Sequence, residues 1–186
     1  IGVSADKDAR SGGFAYDDGT TLIDVKANKS ARTGSVRVET GADSVIANVS
    51  STERALKMSI QGIYFDVKSI GDDQGSISFQ KAADKLGIEA SFNKSLGKGA
   101  FKLSLDEKLV DVAVNQSVGS GHVELVLDAQ KRLYALTDGK GAGEFNFKYD
   151  DVSVDLKGNT KEKSGDLLVE VGEEFIKAGV NETAGT

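Results

Sequence analysis

The chain has 186 residues, 29 acidic and 23 basic side chains, a formal net charge of −6, and neither cysteine nor proline. At that length a polypeptide can remove roughly 70% of its unfolded surface from water, in one large all-β domain or two small ones, without covalent staples. The lack of cysteine excludes a disulfide framework, a thiolate metal site and a cysteine nucleophile. The charges are scattered, net acidic and without a Lys/Arg cluster, which points away from nucleic acid and anionic lipid as partners.

Average usage would place roughly nine prolines in a chain this long, so the turns must be built from Gly, Asn and Asp. The longest apolar runs, such as LVLDA from Leu125, are too short for a membrane helix. A transmembrane barrel needs an apolar lipid face ringed by aromatic girdles, which four Tyr, eight Phe and no Trp do not suggest. No membrane insertion is expected. The chain opens on Ile1 without an initiator Met, a charged n-region or an apolar h-region, which fits either a removed leader or, the favoured reading, an excised piece of a longer protein.

In chain order, residues 1 to 19 read as a short strand followed by an Asp/Gly/Ser loop. Thr20 to Val25, Ser35 to Thr40 and Ser44 to Val49 read as strands, with Val36 and Val38 facing one way and Arg37 and Glu39 the other. STERA at 51–55 reads as a helical turn or a loop. Alternation then runs from Leu56 to Ile70, broken at Gln61-Gly62 by a bulge or a tight turn, and GDDQG at 71–75 is a turn.

Ser76 to Asp106 holds the one helical period. Phe79, Ala82, Ala83 and Leu86 fall at i, i+3, i+4 and i+7, about two turns, with Gly87 as a stop and alternating runs on both sides. Val110, Val112 and Val114 face inward beyond it, Val123, Leu125 and Leu127 follow, and Leu133 and Ala135 precede the loose DGKGAG at 138–143. Phe145, Phe147 and Tyr149 pair with Val152, Val154 and Leu156 across an Asp150-Asp151 hairpin. Leu167 to Val171 is a last strand, with a final helical turn expected at Glu173 to Ala178.

This gives roughly ten to thirteen short strands with turn signals every 8 to 12 residues. The expected fold is all-β, mainly antiparallel, sandwich-, barrel- or folium-like, with one or two short helical turns. Residues 1–186 read as a single β-rich region; a subdivision into 1–70 and 76–186 would fall at 71–75.

Signals for chemistry are sparse. His122 lies in phase with Glu124, opposite Val123 and Leu125, and with no G-x-S-x-G to supply a nucleophile it reads as a solvated strand histidine. One His and no Cys leave nothing for zinc. Asp6 and Asp8 open like an acidic calcium loop, but Arg10 takes the place of a third oxygen ligand and no glutamate follows at the twelfth position. GKG at 97–99 and GKGAG at 139–143 lack phosphate-loop spacing, and the Asp pairs at 17–18, 72–73 and 150–151 read as turn residues. No cofactor and no catalytic residue is assigned.

Five of the seven asparagines, Asn28, Asn48, Asn93, Asn115 and Asn181, stand in N-x-[ST] sequons where about one is expected by composition. They are glycosylation candidates and favour an exported, solvent-facing protein. The competing reading is that turns are rich in Asn and Ser anyway.

A polar strand, the short segment Lys81-Ala-Ala-Asp-Lys-Leu86, then Gly87-Ile-Glu-Ala90, a strand, a glycine turn and a strand ending LSL resembles the internal repeat of bacterial flagellins and related flagellar axial proteins. The start, IGVSADKDARSGGFAYDDGTTLIDV, is similar to the second half of the same unit. The long terminal helices of flagellins have no counterpart here. The resemblance therefore implies only the outer variable β-domain, which in that family decorates the filament, bears antigens and glycans, and as a rule catalyses nothing.

The expectation is a non-enzymatic, extracellular or cell-surface structural module, in or on a protein filament. Its partners would be copies of itself or neighbouring domains of a larger filament protein. One alternative is a subunit of another exported, glycosylated filament or sheath joined by strand exchange. Another is a carbohydrate-binding or adhesin module using Tyr64, Tyr134 and Tyr149.

Overall fold

Period-two alternation runs through almost the whole chain, and the computed structural model, which describes residues 1–182, converts it into antiparallel strands. The chain divides into two units, Ile1–Phe92 and Asn93–Thr186. The GDDQG stretch lies within the first unit, as the turn between its seventh and eighth strands.

The first unit is a meander of β1 (Gly2–Asp6), β2 (Ser11–Asp17), β3 (Thr21–Asn28), β4 (Thr33–Thr40), β5 (Asp43–Val49), β6 (Glu53–Ile60), β7 (Ile63–Ile70), β8 (Gln74–Lys81) and β9 (Leu86–Asn93). The second contains β10 (Lys98–Leu105), β11 (Lys108–Asn115), β12 (Ser120–Asp128), β13 (Lys131–Asp138), β14 (Ala142–Tyr149), β15 (Val152–Asn159), β16 (Ser164–Val171) and β17 (Glu174–Asn181). The Phe145/Leu156 and Phe147/Val154 pairs expected across Asp150-Asp151 are in register.

Several local expectations are corrected. Seventeen strands replace ten to thirteen. The two-turn helix shrinks to a single 3-10 turn, Ala82–Asp84, because Phe79 and Leu86 are taken by flanking strands and Lys85 enters the left-handed region at φ 48°. The tail of STERA is the start of β6, and Glu173 to Ala178 is turn and strand rather than helix. Residues 11–17 form β2 where a loop was expected. In each case cross-strand pairing, on both sides for β2 and β6 and with β16 alone for β17, overrides a weak local helical or loop preference.

Register sorts the side chains into two faces, since directly opposed residues share a face. One face of the first unit carries the apolar row Phe14, Val25, Val36, Ala47, Leu56, Val67 and Ile77. The next row on that face is Tyr16, Ile23, Val38, Val45, Met58, Phe65 and Phe79. The second unit repeats the plan, with Phe101, Val112, Val123, Ala135, Phe145, Leu156, Leu167 and Ala178 in line.

The other face is polar. Asp24, Arg37, Ile46, Lys57 and Asp66 form one of its rows, with ion pairs Lys57–Asp66 at 3.2 Å and Lys68–Glu53 at 3.0 Å. Such exposed pairs contribute at most about 1 kcal/mol each. Among the described residues no side chain is buried, so neither face is a closed core; even Phe14, Val36 and Leu156 are 40%, 39% and 48% exposed.

Candidate functional site

The turns carry the regular chemistry of this chain. Each odd-numbered strand ends on, or one residue before, Asp6, Asn28, Ser50, Gly71, Asn93, Asn115, Asp138, Asn159 and Asn181, at intervals of 21 to 23 residues. The unit of the sequence is therefore a hairpin of about 22 residues.

At most of these positions a side-chain oxygen ties the turn that follows, as short polar side chains do in Asx and Ser/Thr turns. Asp6 Oδ1 accepts the N–H groups of Asp8 and Ala9, both at 2.9 Å. Asn28 Oδ1 accepts from Ala31 at 2.7 Å and Asn93 Oδ1 from Leu96 at 2.9 Å. Ser50 Oγ accepts from Thr52 and Glu53, and Asn159 Oδ1 from Lys161 and Glu162.

Four of the five sequon asparagines, Asn28, Asn93, Asn115 and Asn181, belong to this series. Asn48 does not; it sits within β5 on the polar face, opposite Ser35 and Ala55. Asn115 Oδ1 is shielded from water without a donor. The fifth sequon ends on Thr183, which lies outside the described residues. The five are spread over five strands and form no cluster.

Asp6 and Asp8 share one turn, but Asp6 already engages backbone donors, and among the described residues no group of three or more His, Cys, Asp or Glu is placed to hold a metal ion. His122 Nε2 lies 3.3 Å from Asp111 Oδ1 on the polar face, both half-buried, with Glu124 opposite Asp111. The GKG segment closes the β9–β10 turn, where Gly97 N–H donates to Lys94 O at 3.1 Å. In GKGAG, Asp138 Oδ1 accepts from Lys140 at 2.7 Å and Ala142 at 3.0 Å, and the first of these bonds leads in holding the Asp138 carboxyl below its usual range.

Asp17 and Asp18 cap the β2–β3 turn. Asp18 Oδ1 accepts from Thr21 and Thr20, and Tyr16 OH donates to Asp18 Oδ2 at 2.8 Å. The backbone donors of Thr21 and Thr20 lower the Asp18 pKa, with Tyr16 adding to them, and the same bond raises that of the Tyr16 phenol. Asp72-Asp73 and Asp150-Asp151 lie in the β7–β8 and β14–β15 turns. Tyr64 and Tyr134 stand on polar rows of different units, whereas Tyr149 is on the apolar face with Lys131 Nζ 5.1 Å from its ring centre, so the three make no single platform.

A second periodic feature went unnoticed in the sequence. Five or six residues beyond six of the nine strand-end positions stands a glycine: Gly12, Gly34, Gly99, Gly121, Gly143 and Gly165. With Gly75 these line up on the apolar face beside the Phe/Leu row, and Gly158 joins them between Gly143 and Gly165. A concavity of about 740 Å³ in the second unit follows the missing side chains, bordered by Gly143, Gly158, Gly165, Phe145, Leu156 and Val180. One of about 710 Å³ in the first borders Gly12 and Gly34 but is lined largely by polar-face residues, among them Ser11, Lys26, Ser35, Asn48 and Glu53.

Set against family models, curated proteins and solved structures, the chain matches none. Its own geometry therefore carries the functional argument. Among the described residues no helix is long and apolar enough to cross a membrane.

Proposed function

We propose that the chain is a non-enzymatic structural module, outside the cell, that forms part of or decorates a protein filament. The observation that carries this reading is the hairpin period: the ends of the odd-numbered strands recur every 21 to 23 residues, most of them with a side-chain-tied turn and, in six of the nine, a glycine soon after. Repetition of that kind distributes one chemistry evenly along a sheet, whereas a catalytic centre gathers different groups at one place. Solvent-exposed polar rows laced with ion pairs suit a surface in water, and the resemblance of Lys81–Ala90 to a flagellar axial repeat supports a filament as its setting.

The test is location. Antibodies raised against the 186-residue chain and applied to intact cells of the source, and to appendages sheared from them, should label surface filaments by immunogold. Label confined to the cell interior would overturn the proposal. Intact-mass measurement of the native material reads the sequons independently, each occupied Asn adding one glycan mass.

A further inference from the structure

We propose that the apolar face docks against the same face of a second copy of this chain, the Phe/Leu ridge of one seating in the glycine trough of the other. The inference deepens the structural reading, since a module that assembles with copies of itself needs a face for it. Its test reads that face and not the location.

Glycine inside a strand is destabilising, and where it persists it marks a bulge, a bend or the close approach of another group. At some positions the fold itself supplies the reason. A Cβ on Gly121 would lie 2.9 Å from Ala113 O, and Gly12 is similarly tight against Ser4 O at 3.2 Å.

At Gly34, Gly143, Gly158 and Gly165 it does not. None has a positive φ, and an added Cβ would meet nothing nearer than 3.6, 3.4, 3.9 and 3.4 Å, which are ordinary contact distances. The folded chain would accept a side chain at all four. What these glycines leave is room for something arriving from outside.

Gly75 shows what fills such a space. The ring of Phe92 lies over it, within 2.5 Å of where a Cβ would stand. An aromatic ring from a neighbouring strand thus occupies the glycine seat there, while the seats at Gly143, Gly158 and Gly165 have no such cover. The groups of matching chemistry on the same face are Phe101, Phe145 and Leu156, one two-residue step away, and rows on a strand are about 6.8 Å apart at that step. A two-fold pairing offset by one row lays ridge into trough in both directions, as isologous contacts require.

Area agrees. The chain exposes 12839 Å², whereas even two separate compact bodies of half its mass would expose only about 10,300 Å² by the usual size scaling. The excess of about 2,500 Å² per copy, or about 5,000 Å² for a pair, falls in the range of obligate dimer interfaces. In the second unit the row beyond the apolar ones mixes charged Lys108, Lys131 and Glu174 with Leu105, Tyr149, Val152 and Val171.

A lipid bilayer fits less well. Two full apolar rows make a band of about 15 Å, and spanning strands need about 9 to 11 residues at a tilt near 45°. Here the strands have eight or nine residues at most, and Arg54 and Lys131 would lie inside the hydrocarbon.

The experiment is sedimentation velocity and light scattering on the 186-residue chain over the micromolar range. A dimer of twice 19.5 kDa is expected. The double variant Gly143→Val/Gly158→Val should be monomeric, its dissociation constant weakened on the order of tenfold or more, with its urea midpoint lower than wild type at dimer-forming concentration but unchanged or raised when both are compared well below the wild-type dissociation constant. Leu156→Lys should act alike, and Arg132→Lys on the polar face should leave the dimer intact.

A wild-type chain that is monomeric throughout overturns the proposal. So does a dimer indifferent to the glycine and Leu156 substitutions, or a monomer that instead floats with neutral phosphatidylcholine vesicles. Should the substituted chains fail to fold, the cysteine-free background offers a second measurement. Arg132→Cys, spin-labelled on the polar face, should give one narrow inter-copy distance, and an uninterrupted background decay overturns the pairing.

Discussion

Replacing Gly139 by alanine should destabilise the chain at least about twice as much as replacing Gly172. Both glycines lie in turns of the second unit with φ near +70° and +61°, so both substitutions incur the left-handed penalty of about 1 to 2 kcal/mol. At Gly172 an added Cβ meets nothing within 4 Å, and that penalty is the whole cost. At Gly139 the same Cβ would stand 1.7 Å from Val118 O and 2.8 Å from Gly119 C.

Those atoms are backbone, so no rotamer change relieves the overlap. The β11–β12 turn must move, which strains the bonds from Val118 N–H to Asn115 O and from Gly119 N–H to Gln116 O. At about 0.5 to 1.5 kcal/mol for each bond, the total for Gly139→Ala is about 2 to 5 kcal/mol. With a urea slope of about 1 to 3 kcal/mol/M, the unfolding midpoint followed by circular dichroism should fall by about 0.3 to 3 M beyond that of Gly172→Ala. Equal shifts for the two variants would refute the reasoning, because they would mean that the two turns do not touch.

Asn28→Ala should lower stability by about 1 kcal/mol through loss of the bond to Ala31 N–H, whereas Asn28→Asp keeps the acceptor, removes the sequon and should be nearly neutral in a urea melt. Phe92→Ala uncovers Gly75 and should cost about 1 kcal/mol, and a second change, Gly75→Val, should restore part of it; a melt without recovery would show that the ring does not fill that seat. Asp18 and Asp138 have folded pKa values below 3.8, so their contribution is present above the unfolded carboxylate value and is lost as pH falls through the folded one. Tyr16 has the opposite sign: its raised phenol pKa favours the neutral form, a contribution present below pH 10 and lost above it. Thermal melts across both ranges should show stability falling at each end, and Asp18→Asn should flatten the acid limb.

Alternation in the sequence was enough to read the all-β class, the Asp150-Asp151 hairpin and the facing of Val36 against Arg37, because period two maps directly onto the two sides of a pleat. Boundaries were less legible. Phe79 to Leu86 fits helical spacing as well as it fits two strand ends around a 3-10 turn, and only pairing with β7 decides between them. The excess of sequons was visible, but its cause was not: four of the five asparagines recur because they stand at the strand ends of a 22-residue hairpin, where Asn28 and Asn93 tie the turn, a period hidden by the exchange of Asn for Asp, Ser or Gly at equivalent places. The trough was missed for a similar reason, since a glycine two residues into a strand reads locally as the tail of a turn, and only cross-strand register shows four of them unneeded by their own backbone.

The connections alternate in kind along each unit. Six of those leading from an even to an odd strand are two residues long, Gly41-Ala42 and Gln61-Gly62 among them, while those after odd strands run to three or four. A two-residue connection admits no insertion without slipping the register by which every side chain finds its side. A longer, side-chain-tied connection can grow outward at small entropic cost. Evolutionary drift, epitope change and engineered peptide grafts should therefore collect along one rim of each unit, leaving the opposite rim as the fixed hem that holds the weave in step.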